Sequence, residues 1–171
     1  MGYRASAPLA AHHRLDEFSC GEAALDDWLQ RYARAAQAAD SARVYVTTLD
    51  DADDVVGYYA VAAAEVLPAD SVPRARKGQP AGRAIPAILL ARLAVDVRHQ
   101  RLGVGRSLLQ DAILRSAQAA DAIGARLMLV HAKHETAKDW YLQYGFEPSP
   151  TDPLHLQLMM KDIRRFLRRQ P

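Results

Sequence analysis

Residues 93–109 read Leu-Ala-Val-Asp-Val-Arg-His-Gln-Arg-Leu-Gly-Val-Gly-Arg-Ser-Leu-Leu. The largely apolar run from Ile88 to Val97 contains β-branched residues and predicts a buried strand. Gly103 and Gly105 then allow backbone conformations that a Cβ would oppose, and apolar residues from Leu108 onward recur at helical spacing. A strand, a glycine loop and a helix in this order predict an anion site, because the first turn of a helix presents unpaired N–H groups and the positive end of its dipole.

The anion expected at this loop is a phosphate or pyrophosphate, and two common nucleotide motifs do not fit the spacing. The dinucleotide fingerprint requires a third glycine where Leu108 stands, and the P-loop requires Gly-Lys followed by Ser or Thr. The pattern Gln100-x-x-Gly103-x-Gly105 instead resembles the acyl-CoA pyrophosphate motif of the GNAT N-acetyltransferases. A second stretch, Tyr141-Leu-Gln-Tyr-Gly-Phe146, is similar to the Y-x-x-x-G-F signature of the same superfamily.

The resemblance implies an α/β (α+β) GNAT acyl-CoA N-acyltransferase fold, with a mixed central sheet flanked by helices. It implies acetyl-CoA as cosubstrate and no metal. Backbone N–H groups of Leu93 and Val95 would hold the acetyl carbonyl and the pantetheine arm, and Arg101 to Arg106 would hold the pyrophosphate. The expected acetyl-CoA site comprises Leu93, Ala94, Val95, Gln100, Arg101, Leu102, Gly103, Val104, Gly105 and Arg106.

Tyr141 stands where relatives place the general acid that protonates the departing coenzyme A thiolate. A phenol with a pKa of about 10 can donate to a thiolate whose conjugate thiol has a pKa of about 8.5 only through a close hydrogen bond, so geometry decides. The alternative is that Tyr141 packs in the core, a role that we predict instead for Trp140, Tyr144 and Phe146.

The sequence singles out no general base. Six candidates exist, and each is also explained by a structural or surface role: Glu65, Asp96, His131, His134, Glu135 and His155. This favours an α-amine acceptor, because an α-amine with a pKa of about 7.7–8.0 is partly neutral at cellular pH, whereas a lysine amine with a pKa of about 10.4 is not. A polyamine would prefer an acidic pocket.

The 171 residues suit a single domain, residues 1–171, and half of them are hydrophobic. Cys20 is the only cysteine, which excludes an intramolecular disulfide and a cysteine-based zinc site. The first residues carry no apolar segment typical of a secretory signal, and no apolar run reaches membrane-spanning length. We therefore expect a cytoplasmic protein with no membrane association.

Charge is unevenly distributed although the net charge is only +2. Twelve acidic residues lie between Asp16 and Asp70, whereas eight Lys or Arg and one Asp lie between Ser71 and Arg106. This asymmetry is typical either of a polyanion-binding face or of a solvated loop beside a coenzyme A site. The candidate contacts to such a polyanion are Arg74, Arg76, Lys77, Arg83 and Arg92, helped by arginines of the tail.

A narrower resemblance covers about residues 12 to 160. The segments Phe18–Gly21, Arg43–Val46, Val56–Ala60, Arg92–Asp96 and Tyr141–Glu147 are similar to those of acetyltransferase toxins of toxin–antitoxin modules, of the TacT and AtaT kind. The resemblance implies acetylation of the α-amine of aminoacyl-tRNA, arrest of translation and neutralisation by a ribbon-helix-helix antitoxin. It makes tRNA the polyanion that the basic residues named above would contact. It admits a homodimer without deciding the oligomeric state. Two alternatives remain: a GNAT enzyme acting on a small amine or a protein N-terminus, and a catalytically silent GNAT fold that binds a partner.

Hydropathy patterns predict the remaining elements. Ser19 and Glu22 form a capping box for a helix with Leu25, Trp28, Leu29 and Tyr32 on one face. Proline and glycine between Leu67 and Pro86 predict a basic surface excursion without helix. The predicted strands are Pro8–His12, Arg43–Leu49, Val55–Val66 with a bulge at Gly57, Arg126–Ala132 and Leu154–Lys161. Helices are predicted from Leu108 to a C′ residue at Gly124, over Glu135–Tyr144 and over Ile163–Arg169.

Overall fold

The structure, a computed structural model, describes residues 2–169. Its strands are β1 Ala7–Pro8, β2 Arg43–Thr48, β3 Val55–Val66, β4 Ile85–Val95, β5 Leu127–His131, β6 Glu147–Pro148 and β7 His155–Met159. Its α-helices are α1 Ala23–Asp27, α2 Ala33–Ala38, α3 Pro73–Arg76, α4 Val104–Ile123, α5 Glu135–Leu142 and α6 Met160–Arg168. The strands form one mixed sheet in the order β1-β2-β3-β4-β5-β7-β6, as the sequence predicts for the fold class.

The described chain divides into two compact units. The first comprises the described residues up to Ala62 together with Ala91–Ala112, and the second comprises Ala63–Leu90 together with the described residues from Ile113 onward. β3, β4 and α4 each contribute residues to both units. The single-domain organisation of residues 1–171 stays a prediction.

The first unit contains an antiparallel sheet with a bulge at the predicted position. Thr47 pairs with Gly57 while Thr48 pairs with Val55, so β3 carries one extra residue there. A Cβ on Gly57 would lie 2.9 Å from Cδ1 of Leu108 and 3.1 Å from Cγ1 of Val104. Glycine is therefore needed at this position, because the start of α4 packs directly against the strand.

The helical segment before β2 differs from its prediction in two respects. Ser19 does not cap the helix: α1 begins at Ala23 with Glu22 at the N-cap and no side-chain cap. A π-helical segment, Trp28–Tyr32, then separates α1 from α2. Its wider turn rotates the following residues, so Leu29 is fully buried whereas Tyr32, predicted on the same apolar face, is 54% exposed.

The first strand is also shorter than Pro8–His12. The backbone N–H of His13 donates to the carbonyl of Ala10 at 3.1 Å, and the N–H of Ala10 donates to Nδ1 of His13 at 2.9 Å. This turn closes directly after the strand and prevents its extension.

The second unit has the parallel pairing that the sequence predicts for its central strands. β4 and β5 are parallel, with Ala87 opposite Leu127 and Leu90 opposite Val130. β7 pairs antiparallel with both β5 and β6, a short strand that the sequence analysis missed. Gly124 ends α4 as predicted, with a φ of +83° and its N–H donated to Ala120 at 2.9 Å.

The segment from Leu67 to Pro86 contains helix, contrary to the prediction. Pro68–Asp70 forms a 3₁₀ turn and Pro73–Arg76 forms α3, because proline is well suited to the first position of a helix. Ser71, Val72 and Ala75 are buried. The side chain of Gln157 accepts from the N–H of Val72 at 2.8 Å and donates to the carbonyl of Asp70 at 2.7 Å. These bonds hold the segment against β7.

Candidate active site

The glycine loop of the first unit has the geometry of an anion site. Gly103 has a φ of +88°, and its carbonyl accepts the N–H of Ser107 at 3.1 Å. The N–H groups of residues 104–106 precede that first helical bond and have no partner within α4. A Cβ on Gly103 would meet no described atom within 4 Å, so the loop presents an open surface. This arrangement fits the pyrophosphate of acetyl-CoA.

Hydrogen bonds from the side chain of Gln100 to two backbone carbonyls hold the loop in place. The side-chain Nε2 of Gln100 donates to the carbonyls of Cys20 at 3.0 Å and of Val95 at 2.9 Å. Gln100 therefore positions the loop through its side chain, and its direct contact with acetyl-CoA stays a prediction. Arg101 adopts a φ of 63°, a left-handed conformation that glycine occupies more easily, and its side chain is exposed.

Asp96 anchors the chain between β4 and the loop, a role that sequence analysis missed. Its N–H donates to the carbonyl of Val56 at 2.8 Å. Its buried carboxylate accepts from the side chain and the N–H of Arg98, each at 2.9 Å, and from the N–H of Ser19 at 3.1 Å. Burial opposes ionisation, but these bonds outweigh it and lower the pKa of Asp96 to about 2.

Asp96→Asn is expected to lower the free energy of unfolding at neutral pH by about 1–2 kcal/mol, with allowance for solvent screening of the half-exposed Arg98. The folded-state pKa lies below the ordinary value of 3.8. The stability from this carboxylate is therefore present above pH 3.8 and is lost as the pH falls through about 2. Urea unfolding of the parent and of Asp96→Asn at neutral pH and at pH ~3 measures the difference in their free energies of unfolding. This difference should be smaller in acid.

Asp54→Asn is the matched control, because Asp54 forms an exposed 2.8 Å ion pair with Arg14. Asp54→Asn should lower the free energy of unfolding by less than about 1 kcal/mol. Equal losses in the two variants would show that Asp96 is no anchor.

A cleft of about 290 Å³ opens beside the loop in the first unit. It is lined on one side by Gly103, Val104 and Ser107 and on the other by the segment from Tyr3 to Ser6. The hydroxyl of Tyr3 and Nδ1 of His99 share a 2.9 Å hydrogen bond, which fixes that segment. Nothing in the composition of this N-terminal segment predicts that it forms a wall of the cleft.

The end of β4 supplies the other part of the expected acetyl-CoA site in this unit. Leu93 and Val95 are half-buried there, whereas Ala94 is buried. Leu102 and Arg106 are exposed, and the side chain of Val104 packs inward.

Tyr141 lies in the second unit, near the end of α5. This helix begins at Glu135, and Nδ1 of His134 accepts the N–H of Ala137 at 3.1 Å as its cap. Tyr141 is 8% exposed, with its ring edge-on to those of Trp140 at 4.9 Å and Phe146 at 5.6 Å. Burial raises the pKa of Tyr141, which keeps the phenol protonated and able to donate.

The core positions around Tyr141 differ in part from the prediction. Phe146 is buried, but Trp140 and Tyr144 are only half-buried, so Tyr141 is the best-buried ring of α5. Tyr144 lies beyond α5, which ends at Leu142, and a turn with a φ of +93° at Gly145 follows.

The candidate general bases separate into two groups. Asp96 and His134 are occupied as an anchor and a cap, and Glu135 lies 4.0 Å from Lys138. Glu65, His131 and His155 line a common cleft in the second unit.

The candidate tRNA contacts also fall into two groups. Arg74 forms ion pairs with Glu147 at 3.1 Å and Asp162 at 3.0 Å. In the first unit, the guanidinium of Arg92 lies 4.3 Å from the centre of the Trp28 ring. Both arginines thus have contacts within the protein, whereas Arg76, Lys77 and Arg83 are exposed and form no ion pair among the described residues.

Residues 2–169 contain neither a metal-holding cluster nor a membrane-spanning helix. No group of three or more His, Cys, Asp or Glu there is arranged to hold a metal ion. No helix in this part of the chain combines the length and apolar character needed to cross a membrane.

Comparison with known proteins identifies the class. Residues 40–148 match the family model of the acetyltransferase (GNAT) domain. The chain belongs to this family. It is 46% identical to a tRNA-acetylating toxin of Mycobacterium tuberculosis, over 97% of this chain and 98% of the relative.

Solved structures share the fold. The chain is 25% identical to AtaT complexed with acetyl-methionyl-tRNAfMet, with a TM-score of 0.88 over 97% of this chain and 99% of AtaT. It is 26% identical to a mutant AtaT toxin bound to the C-terminus of the antitoxin AtaR and to acetyl-CoA, with a TM-score of 0.82 over 98% and 99% of the two chains.

Proposed function

We infer that this protein is an N-acetyltransferase toxin that transfers acetyl from acetyl-CoA to the α-amine of aminoacyl-tRNA and thereby blocks translation. The observation that carries this conclusion is the 46% identity, over nearly the full length of both chains, to a relative named as a tRNA-acetylating toxin. The open glycine loop supports it, because the loop presents helix N–H groups suited to the pyrophosphate of acetyl-CoA.

The first unit supplies the residues that bind acetyl-CoA. The N–H groups of Leu93 and Val95 orient the acetyl carbonyl and the pantetheine arm. The N–H groups at the start of α4, with Arg101 and Arg106, bind the pyrophosphate. The side chains of Gln100 and Asp96 also support the site indirectly, since they hold the loop in the conformation that presents those groups.

The second unit supplies the general acid. When the amine attacks the thioester carbonyl carbon, the carbon–sulfur bond breaks and coenzyme A leaves as a thiolate. Tyr141 gives its proton to that sulfur. Its raised pKa supports this role only with a short hydrogen bond to the sulfur, because the phenol is a weaker acid than the thiol it would form.

The reaction is tested by incubating the protein with labelled acetyl-CoA and bulk charged tRNA, and then identifying the acetylated amino acid. Uncharged tRNA is the control, because it lacks the α-amine. A panel of small amines and peptides tests the alternative of a small-amine GNAT enzyme, which the acidic residues of the second-unit cleft favour. Label in small amines but not in charged tRNA would establish that alternative.

The basic residues Arg76, Lys77 and Arg83 are proposed to guide the acceptor arm of tRNA. The triple change to Gln is expected to weaken tRNA binding by about tenfold or more and to reduce the salt slope, because contacts to phosphates release counterions. Acetyl-CoA affinity should stay unchanged. Filter binding of charged tRNA at several salt concentrations measures both effects.

A matched triple change in the acidic first half, Arg14, Arg31 and Arg43 to Gln, removes the same charge. These arginines are exposed and form ion pairs with Asp54, Asp27 and Asp40, respectively. An equal loss of tRNA affinity in both triple variants would indicate a general charge effect and exclude a guiding role for Arg76, Lys77 and Arg83.

The partner protein is proposed to be a ribbon-helix-helix antitoxin. The AtaT relative bound to the C-terminus of AtaR supports an antitoxin. A homodimer acting in the cytoplasm is proposed with it. Co-purification with the product of the neighbouring gene and light scattering test these two associations.

A further inference from the structure

The cleft of the second unit is built on the paired strands β5 and β7. Its volume is about 620 Å³, within the range of small-molecule sites. His131 of β5 pairs with His155 of β7. Leu129, two residues before His131, pairs with Gln157, two residues after His155. Alternate residues of a strand lie on one face, so these four side chains share the floor of the cleft.

The chemistry of the lining suits an amine and disfavours a phosphate. Its ionisable residues are three carboxylates and two histidines, and no Lys or Arg occurs among the described residues that line it. Asp70 accepts from the hydroxyl of Thr151 at 2.6 Å, and Asp152 lies 3.4 Å from Nε2 of His155. Glu65 is exposed at the rim, where its carboxylate attracts a cation.

The two imidazoles differ in their partners. Their rings are stacked, with centres 3.9 Å apart. His155 has Asp152 as an ion-pair partner, whereas the ring nitrogens of His131 have no hydrogen-bond partner among the described residues. His131 is thus the imidazole left available to a ligand in the cleft.

We propose that this cleft receives the α-amine of the aminoacyl group and that His131 accepts the proton which the amine loses. The inference rests on the proposed function and deepens it. The amine nitrogen forms a bond to the acetyl carbonyl carbon, the carbon–sulfur bond breaks, and its electron pair leaves with sulfur. The proton on nitrogen goes to His131, and sulfur takes a proton from Tyr141.

The surroundings of His131 keep its imidazole neutral at cellular pH. Partial burial against His155 lowers the pKa of His131, and the positive charge of protonated His155 lowers it further. Asp152 acts in the opposite direction. Glu65 from the end of β3 and Asp70 from the 3₁₀ turn also line the cleft. A neutral imidazole can accept a proton, as the proposed step requires.

His131→Gln tests the proposal, with His12→Gln as the matched control because His12 is exposed in the first unit. In His131→Gln, kcat for charged tRNA should fall by about 10²-fold or more, while the affinities for acetyl-CoA and tRNA stay unchanged. Imidazole added to His131→Ala should restore part of the rate. A kcat for His131→Gln within about threefold of the parent overturns the proposal.

The pH profile gives a second test that needs no change at His131. In the parent, kcat should rise with pH through a pKa below 6.5. In His155→Gln this limb should move to higher pH, because removing a like charge raises the pKa of His131. A limb that is identical in both proteins belongs to the substrate amine and overturns the proposal.

These experiments distinguish a failure of the proposed function from a failure of the role proposed for His131. A parent that acetylates no charged tRNA overturns the proposed function and this inference together. A parent that acetylates charged tRNA, beside a His131→Gln variant equally active, overturns this inference alone.

Discussion

Tyr141→Phe is expected to keep acetyl-CoA binding and to lower turnover by about 10²- to 10⁴-fold, the usual contribution of a general acid. Phenylalanine fills the space between Trp140 and Phe146 without the hydroxyl, so neither a cavity nor a change of fold follows. Calorimetric titration with acetyl-CoA and single-turnover acetylation of charged tRNA measure the two properties separately.

Tyr144→Phe is the matched control. Tyr144 belongs to the same signature and contacts Trp140 edge-on at 5.1 Å, but it is only half-buried. It should acetylate at close to the parental rate. If Tyr141→Phe and Tyr144→Phe are equally active, Tyr141 is a packing residue and the assignment of the acid is wrong.

Gly105→Glu is expected to abolish measurable acetyl-CoA binding while the protein still folds. The added carboxylate would stand in the first turn of α4, where it competes with the pyrophosphate for the same N–H groups and repels its charge. An acidic residue in the first turn also interacts favourably with the helix dipole, so we expect no loss of helix stability from the charge. Calorimetry and thermal unfolding together check this result.

Gln110→Glu places the same charge on an exposed position of the same helix, beyond its first turn. Its acetyl-CoA affinity should remain near the parental value. Unchanged affinity in a folded Gly105→Glu variant would remove the pyrophosphate from this loop.

Local signals in the sequence predict much of the part of the site that is expected to bind acetyl-CoA. Gly103 and Gly105 follow a buried strand and precede a helix, and short-range sterics are enough to predict such a loop. The same holds for β3, whose predicted bounds Val55–Val66 are those observed, and for Gly124 at the end of α4. Glycine positions and strand periodicity depend on the backbone alone, so they can be read without knowledge of the fold.

The failures occur where distant residues or an irregular helical turn override a local preference. Ser19 has the sequence of an N-cap, but its N–H is bonded to Asp96, 77 positions away in the chain. Tyr32 continues an apolar face that the π-helical segment displaces. The proline-rich segment after β3 looks like an exposed loop, yet Gln157 of β7 binds its backbone and makes part of it core.

By itself, therefore, the sequence determined the family, the strand–loop–helix unit and the position of Tyr141, because each depends on residue types at fixed spacing. Only the tertiary structure decided which charged residues remain available to contact a substrate. Arg74 and Arg92 are engaged by Glu147, Asp162 and the Trp28 ring, and His131 meets His155 through strand pairing. Such partners lie tens of residues apart, and no local pattern records which of them the folded chain brings together.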